Sequence, residues 1–189
     1  MPRLFFGVEI PASVKKRLEQ VKAPIEGAKW QSTNQLHLTL LFLGQVKPEQ
    51  VPAICEAARN LPVPGFDLSI DGVGCFGKPE LPHNLWADVD PVAPVAAIHK
   101  ALNQRLEPEG FPMESRPFKP HVTLARFRKQ RGSARELLAS HRHDQFGQFP
   151  VHECVLYEST QGAGGSVYTV VERFPLSGCP GGERCSTGH

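Results

Sequence analysis

Residues 35–43 have the sequence QLHLTLLFL, an apolar run in which His37 and Thr39 alternate with leucines. Alternate side chains of a β-strand share a face, so the pattern predicts a strand that buries leucines and presents an imidazole and a hydroxyl together. Residues 121–124, HVTL, repeat the pattern in a second apolar run. Two proton-carrying imidazoles and two hydroxyl donors suit acid–base chemistry on a phosphodiester, which needs neither a metal nor a covalent intermediate.

The bulk composition is ordinary for a globular protein: 189 residues, 40% hydrophobic and 21% charged, with a net charge of +2. This length fits one domain, or two small lobes that share a core. The low net charge argues against a protein that coats DNA. However, the segment from Arg116 to Arg131 contains basic residues and no acidic one, so the second motif lies in a local positive field suited to a nucleic-acid phosphate. A solvated basic loop is the alternative interpretation.

The five cysteines are scattered and form no C-x-x-C pair, which is typical of reduced thiols in a cytosol. An apolar stretch at residues 4–8 is ended by Glu9 and Pro11, too early for a signal sequence. No apolar run approaches the length of a membrane span. We therefore expect a soluble, cytoplasmic protein.

The two motifs lie at corresponding places in two halves that share one order of elements: strand, helix, motif strand, helix, strand. The predicted strands are 4–10, 35–43, 66–71, 84–90, 119–127, 151–158 and 168–176. Helices are predicted after Pro11, Pro48 and Pro91, and over 133–140. Such an internal repeat predicts a pseudo-twofold unit with both motif strands side by side, facing one cleft.

We predict a single domain over residues 1–176. It contains two interleaved lobes at approximately 3–80 and 84–158, and residues 168–176 form a final strand that returns to one sheet. Residues 177–189 have no periodicity and are rich in glycine and small polar residues, so we expect a disordered tail without function.

Other residues of chemical interest are weaker candidates. The segment HRHD at 141–144 contains metal-ligand types but lies in a polar loop without a third anchor, so a surface loop is the favoured interpretation. Trp30, Phe118 and Tyr157 could stack a nucleobase, although each is more often a core residue. We expect His99 to be structural or exposed.

Further motifs flank both copies of H-x-T. They are RLFF at 3–6 with EIP at 9–11, NQLHLTL at 34–40 with FLG at 42–44, RPFKPHVTLAR at 116–126, LYES at 156–159, Tyr168, and FPL at 174–176. With these residues the chain resembles the two-histidine (2H) phosphoesterase superfamily, and within it the RNA 2′,3′-cyclic phosphodiesterases historically called 2′-5′ RNA ligases. The resemblance covers roughly residues 3–176. One H-x-T is common by chance, but two inside these flanks are a specific signal.

The resemblance implies a bilobal α+β fold, with two antiparallel sheets lining a central cleft and helices on the outside. It implies that His37 is the general acid (proton donor) to O3′ and His121 the general base (proton acceptor) for water, which leaves a 2′-phosphomonoester. From the residues alone these two roles are interchangeable. Thr39 and Thr123 would bind the non-bridging phosphate oxygens, the alternative for each being a simple β-branched strand former. Arg126 matches the family's arginine and would neutralise the phosphate or a neighbouring one, or else face solvent.

The resemblance implies no cofactor and no metal. The implied partners are RNAs with 2′,3′-cyclic phosphate ends, such as tRNA fragments, or cyclic nucleotides, and we expect a monomer. With a 5′-hydroxyl in place of water, the reverse reaction would join RNA ends through a 2′-5′ linkage without ATP.

Two other functions compete with this one. A nucleotide- or RNA-end-binding module of the same fold without turnover is disfavoured because both H-x-T copies are intact. A metal-dependent hydrolase built on the histidine-rich loop is disfavoured because that loop lacks carboxylate partners at suitable spacing.

Overall fold

A computed structural model describes residues 1–129 and 131–177, which form nine strands and four α-helices. The strands are β1 (Arg3–Val8), β2 (Ala28–Trp30), β3 (Leu38–Gln45), β4 (Phe66–Lys78), β5 (Leu81–Asp90), β6 (His121–Phe127), β7 (Gln145–Val151), β8 (Glu153–Gly162) and β9 (Gly165–Pro175). The helices are α1 (Ala12–Glu19), α2 (Val51–Ala57), α3 (Val92–Leu106) and α4 (Arg135–His141). None of these helices has the length and hydropathy that a membrane crossing requires. The predicted tail lies outside the described residues, apart from Ser177.

Antiparallel pairing connects the strands in the order β7-β4-β5-β6-β3-β1-β8-β9, and β2 pairs with β6 beyond the end of β3. The described strands form one continuous sheet of nine strands, and its two four-stranded parts are the sheets β7-β4-β5-β6 and β3-β1-β8-β9. They meet where β3 pairs with β6 through one registered pair, Leu38 with Val122. The prediction of an α+β fold with antiparallel strands is confirmed, and the two predicted sheets are continuous with each other at the two motif strands.

Each sheet contains a strand from the other half of the chain. β4 belongs to the first half of the sequence but pairs with β5 and β7. β8 belongs to the second half but pairs with β1 and β9. The two halves are therefore interleaved in space, while the domain bounds predicted from the sequence stay a proposal.

Apolar periodicity explains how the helices and motif strands share one core. α3 begins after Pro91, packs against β3, and buries Val95, Ile98, Leu102 and Leu106 at helical spacing. Each such burial contributes about 1.5–3 kcal/mol. The apolar residues of the two motifs are almost fully buried in the same core: Leu38, Leu40, Val122 and Leu124. This confirms the predicted alternation.

Besides shifts of a few residues at strand ends, as in β5, β8 and β9, the strands differ from the prediction in three respects. β3 begins at Leu38 and not at residue 35, because Thr33–Gln35 form a turn of 3-10 helix. β4 continues to Lys78, because a bulge with Gly72 at φ 75° carries the strand past its glycines. β2 and β7 were not predicted; β2 has only three residues, and a glycine and a proline interrupt the alternation of β7.

Candidate active site

The single pair that joins β3 to β6 brings the two motifs side by side. One residue to either side of it, the same antiparallel register places His37 opposite Thr123 and Thr39 opposite His121. Opposite residues have Cβ atoms about 4.5–5.5 Å apart, and the two histidines, which lie on a diagonal, about 7–8 Å apart. The intervening residues Leu38 and Val122 point into the core, so the two imidazoles and the two hydroxyls lie close together on the opposite face of the sheet.

His37 precedes β3 and is held by two hydrogen bonds. Its Nδ1–H donates to the carbonyl oxygen of Gln35 at 2.8 Å; a carbonyl only accepts, so the proton resides on Nδ1. Nε2 then accepts from the hydroxyl of Thr39 at 2.7 Å. In this tautomer Nε2 is the atom able to take up a proton and to give it away.

Aromatic rings and one glycine enclose the His37 ring. The ring centroids of Phe5 and Tyr168 lie 4.8 Å and 5.1 Å from it. Gly7 of β1 passes so close that an added Cβ would stand 2.9 Å from the carbonyl oxygen of Leu38 and 3.5 Å from His37 Cδ2. The neighbouring strand therefore has no room for a side chain at this position.

His121 is oriented in the same way as His37. Its Nδ1–H donates to the carbonyl oxygen of Lys119 at 2.7 Å, which is again the residue two positions earlier. The ring centroids of Phe76 and Trp86 lie 5.2 Å and 6.2 Å away. Both motifs thus fix the imidazole through a local bond to the backbone and leave Nε2 for proton transfer.

Burial disfavours the charged form of both imidazoles. Desolvation lowers the pKa of His37 from 6.5 to about 4, and the positive charge of Arg126 acts in the same direction. Desolvation also lowers the pKa of His121, and the charges of Lys119 and Arg126 add to the effect. Without a bound anion, both rings are therefore neutral at pH 7.

A β-bulge one residue past each threonine changes which side chains face the cleft. The pairing of β3 with β1 skips Leu40, and the pairing of β6 with β5 skips Leu124. In a regular strand, a residue five positions after the histidine would face the core. Because of the bulges, Phe42 and Arg126 are exposed instead and line the same cavity.

Each bulge leaves a carbonyl outside the regular ladder, and each carbonyl has a donor. The oxygen of Leu124 accepts from the backbone N–H of Gln31 at 2.9 Å. The oxygen of Leu40 accepts from Nδ1–H of the buried His99 at 2.7 Å. His99 is thus structural, which was one of its two predicted roles.

A cavity of about 550 Å³ opens on this face. Four of the five predicted site residues line it: His37, Thr39, Thr123 and Arg126. His121 does not line it but lies opposite Thr39, which does. Sequence reasoning missed the other lining residues, which are polar, aromatic or basic and include no acidic side chain: Arg3, Phe5, Lys29, Gln31, Gln35, Phe42, Ser159, Gln161, Ser166 and Tyr168.

The three aromatic residues proposed from the sequence for base stacking do not line this cavity. Trp30 packs against the core, with Nε1–H donating to a backbone carbonyl. Phe118 stacks on His99 at 4.0 Å, and Tyr157 is buried against Phe5. The sequence did contain a signal for Phe42, because this residue follows His37 by five positions, as Arg126 follows His121.

The histidine-rich segment at 141–144 lies at the end of α4 and in the following turn. There the Nδ1 of His141 contacts the carboxylate of Asp144. Within the described ranges, no three or more His, Cys, Asp or Glu side chains are grouped so that they could hold a metal ion. A larger cavity of about 770 Å³ lies beside α2 and β9 and contains none of the motif residues.

Comparison with known proteins identifies related sequences. A family model described as LigT like Phosphoesterase matches residues 8–86 and 88–168. The RNA 2′,3′-cyclic phosphodiesterase of Thermus thermophilus is 31% identical, over 96% of this chain and 94% of that protein. The protein of the same name from Aquifex aeolicus is 30% identical, over 93% of this chain and 98% of that protein.

Solved structures share the fold over nearly the whole chain. The crystal structure of TT0787 of Thermus thermophilus has a TM-score of 0.77 and 30% identity, and covers 92% of this chain and 97% of that one. The crystal structure of Escherichia coli LigT complexed with 3′-AMP has a TM-score of 0.75 and 26% identity, and covers 94% and 99%.

Proposed function

Because this chain belongs to the LigT like phosphoesterase family, we propose that it hydrolyses the 2′,3′-cyclic phosphate ends of RNA. Curated relatives named RNA 2′,3′-cyclic phosphodiesterase match it over nearly its whole length. One observation carries the proposal. Two imidazoles, each with Nδ1 bound to a backbone carbonyl, lie diagonally across a single strand pair at a cleft.

In the proposed reaction, His121 Nε2 removes a proton from water as the water oxygen bonds to phosphorus. The bond between phosphorus and O3′ breaks, and His37 gives its Nε2 proton to O3′. The phosphate stays on O2′, so the product is a 2′-phosphomonoester with a free 3′-hydroxyl. Each proton transfer contributes about 10²- to 10⁴-fold in rate.

Substrate binding favours protonation of the acid, His37, whose ring takes the proton from solvent. The ligand-free site holds His37 neutral above a pKa of about 4 because the ring is desolvated. An anionic phosphate beside the ring favours the imidazolium and raises this pKa. Burial then makes the protonated ring a strong acid, poised to donate to the departing O3′.

We assign the remaining motif residues to the phosphate. The hydroxyls of Thr39 and Thr123 bind the non-bridging oxygens, which gather charge in the transition state. The guanidinium of Arg126 stands at the same cavity, where it offsets that charge.

This set of residues performs hydrolysis by proton transfer alone, so we propose a metal-independent reaction. The same geometry with an RNA 5′-hydroxyl in place of water forms a 2′-5′ linkage, which makes ATP-independent ligation the reverse reaction. We further propose that the protein acts in the cytoplasm as a monomer, on RNA ends such as those of tRNA fragments or on cyclic nucleotides.

The product identifies the reaction. We expect purified protein to convert an oligoribonucleotide ending in a 2′,3′-cyclic phosphate into the 2′-phosphate form, with the same rate in excess EDTA. Chromatography against authentic 2′- and 3′-phosphorylated oligonucleotides measures this outcome. A 3′-phosphate would reverse the assignment of acid and base, and loss of activity in EDTA with recovery in added divalent metal would contradict the mechanism. Tight binding without turnover would instead favour a binding module.

We expect the pH optimum of kcat/KM to lie below 6.5. A reaction needing one protonated and one neutral histidine gives a bell whose flanks report the free protein's two pKa values. Burial lowers the pKa values of both histidines from 6.5, and that of His37 to about 4. Each imidazole therefore loses its proton at a pH below 6.5. The kcat profile, which reports the complex, should be displaced to higher pH because the bound phosphate raises these pKa values.

Steady-state rates measured from about pH 4 to about pH 8 test this expectation. A kcat/KM optimum above 6.5, or coincident kcat and kcat/KM profiles, would contradict it. A stability control at each pH separates titration of the site from acid unfolding.

A further inference from the structure

A second cavity opens on the same face of the sheet as the motif residues, on the side of His121. Its volume is about 450 Å³, and Trp86 and Asp88 of β5 line it. Trp86 is the registered partner of Thr123, and Asp88 is the registered partner of His121. Registered partners in an antiparallel pair share a face, so this cavity lies on the same face as the cavity of about 550 Å³ that contains His37. The two cavities have no lining residue in common.

The proposed reaction requires the attacking and the leaving oxygen on opposite sides of phosphorus. His37 protonates the leaving O3′, so the ribose of the substrate lies towards the cavity that contains His37. The attacking oxygen then arrives from the side of His121. A water molecule occupies about 30 Å³, so the cavity on this side is many times larger than hydrolysis requires. It has room for a larger molecule that carries the attacking hydroxyl.

Two carboxylates line the second cavity. Asp71 of β4 lies opposite Asp88 in register, and both side chains belong to the lining. Neither is in an ion pair with a described residue. Burial raises the pKa of Asp71, and the negative charges of Asp90 and Asp88 act in the same direction. Carboxylates in this setting favour a ligand that donates hydrogen bonds, such as the amino group of a nucleobase.

An aromatic ring forms another part of the lining. Trp86 is nine-tenths buried, and its Nε1–H has no acceptor among the described residues. The ring lies against the backbone of Gly74, where an added Cβ would collide with it. Nucleobases stack on aromatic side chains, and they carry the ring nitrogens and carbonyl oxygens that a buried donor without a partner lacks. The carboxylates and the indole together suit a flat ligand with both donors and acceptors.

The two cavities differ in charge. The cavity that contains His37 is lined by three cationic side chains and no acidic one, which suits the phosphates of an RNA strand. The second cavity is lined by two carboxylates and one guanidinium, that of Arg142. It therefore favours a neutral nucleoside over a second phosphate.

We propose that the second cavity binds the nucleoside whose 5′-hydroxyl takes the place of water, and we call it the nucleoside cavity. This inference rests on the proposed function, because it takes His121 as the base at the attacking oxygen. His121 Nε2 removes the proton of the 5′-hydroxyl as O5′ bonds to phosphorus. The bond between phosphorus and O3′ breaks, and O3′ receives the proton of His37. The phosphate then joins O2′ of one ribose to O5′ of the other.

The dimensions of the sheet fit such a ligand. Asp88 lies one strand from His121 and Asp71 lies two strands from it. At about 4.8 Å between strands, the two carboxylates are about 5 Å and about 10 Å across the sheet from the histidine. A nucleoside spans a comparable distance from its 5′-oxygen to the far edge of its base. Asp71 is thus placed to bind the base edge while the 5′-hydroxyl is at His121.

The test lets three alcohols compete with water for one oligoribonucleotide that ends in a 2′,3′-cyclic phosphate. Cytidine has an amino group at its base edge, uridine has a carbonyl there, and methyl riboside has no base. The ratio of 2′-5′-linked product to 2′-phosphomonoester is measured at equal alcohol concentrations. We expect this ratio to be about tenfold higher for cytidine than for methyl riboside, the effect of one stacked base, and higher for cytidine than for uridine.

Substitution of Asp71 locates the base edge. Asp71→Asn presents an amide that donates to the carbonyl of uridine, so the preference for cytidine over uridine should fall by about tenfold. Asp67→Asn is the matched control: it removes an exposed carboxylate of the same strand that does not line the cavity, and it should leave this preference unchanged. A merely structural role for Asp71 would change transfer to both nucleosides equally.

A nucleoside that cannot react tests occupancy of the cavity. 5′-Deoxycytidine lacks the attacking hydroxyl, so it should form no linked product and should suppress transfer to cytidine while hydrolysis continues. Equal suppression of transfer and hydrolysis would place the compound on the substrate side and overturn the inference.

Other outcomes also overturn the inference while leaving the hydrolytic function intact: equal ratios for cytidine and methyl riboside, no linked product with any alcohol, an unchanged preference in Asp71→Asn, or the same change in Asp67→Asn. Failure to hydrolyse the cyclic phosphate would instead reject the proposed function.

Discussion

Replacing either motif histidine with asparagine should reduce kcat by about 10²- to 10⁴-fold, because each variant lacks one of the two proton transfers. Asparagine is the informative replacement, since its amide nitrogen can occupy the place of Nδ1 and donate to the carbonyl of Gln35 or Lys119. His37→Asn and His121→Asn thus keep the local backbone bond and lose only Nε2. The measurement is kcat on an oligoribonucleotide with a cyclic phosphate end.

The double variant should be little slower than the slower single one, because residues that act as a unit are not additive. His143→Asn is the matched control: it alters an exposed histidine of the 141–144 segment and should retain full activity. Retention of more than about a tenth of kcat in either motif variant would reject the proton-transfer role. Loss of activity in the control would implicate the histidine-rich segment in the reaction.

Replacing the motif threonines with valine should reduce kcat by about 10²- to 10³-fold at each position, the effect of removing one donor to a charge that develops in the transition state. Valine keeps the volume and β-branched shape of threonine, so it preserves the strand and deletes only the hydroxyl. The rate on the cyclic phosphate substrate and the melting temperature of each variant are the two measurements.

Serine at the same positions is the control, because it restores the hydroxyl, and we expect Thr39→Ser and Thr123→Ser to recover most of the rate. Thr39→Val should also move the pH profile, since the Thr39 hydroxyl is bound to Nε2 of His37, whereas no described hydrogen bond joins Thr123 to a histidine. Full activity in the valine variants would leave the threonines as strand formers only.

Local sequence patterns predicted the features that depend on local backbone geometry, namely which side of a motif strand is buried and where two helices begin. The alternation in QLHLTLLFL and HVTL predicted correctly that Leu38, Leu40, Val122 and Leu124 are buried, because neighbouring side chains of any strand point to opposite faces. Pro11 and Pro91 likewise marked the starts of α1 and α3, since proline is tolerated where a helix begins.

Pairings between distant segments could not be predicted in this way. Arg126 lies an odd number of residues after His121, and in a regular strand it would point into the core; only the bulge at Leu124 brings it to the cleft. Lys29, which lines the cavity, belongs to a three-residue strand that is placed there by its pairing with β6, about a hundred positions later. The register between strands so far apart in the sequence is set by tertiary packing, and the apolar periodicity of a single segment does not reveal it.

Because β4 and β8 are exchanged between the two sheets, neither half of the sequence is expected to fold by itself. Neither half holds a complete sheet of its own, since the strand next to β5 comes from the first half and the strand next to β1 from the second. A separated half could regain its missing partner only from another copy of itself. The polypeptide thus resembles a domain-swapped homodimer fused into one chain, and its two histidines flank the single strand pair through which the two parts of the sheet meet.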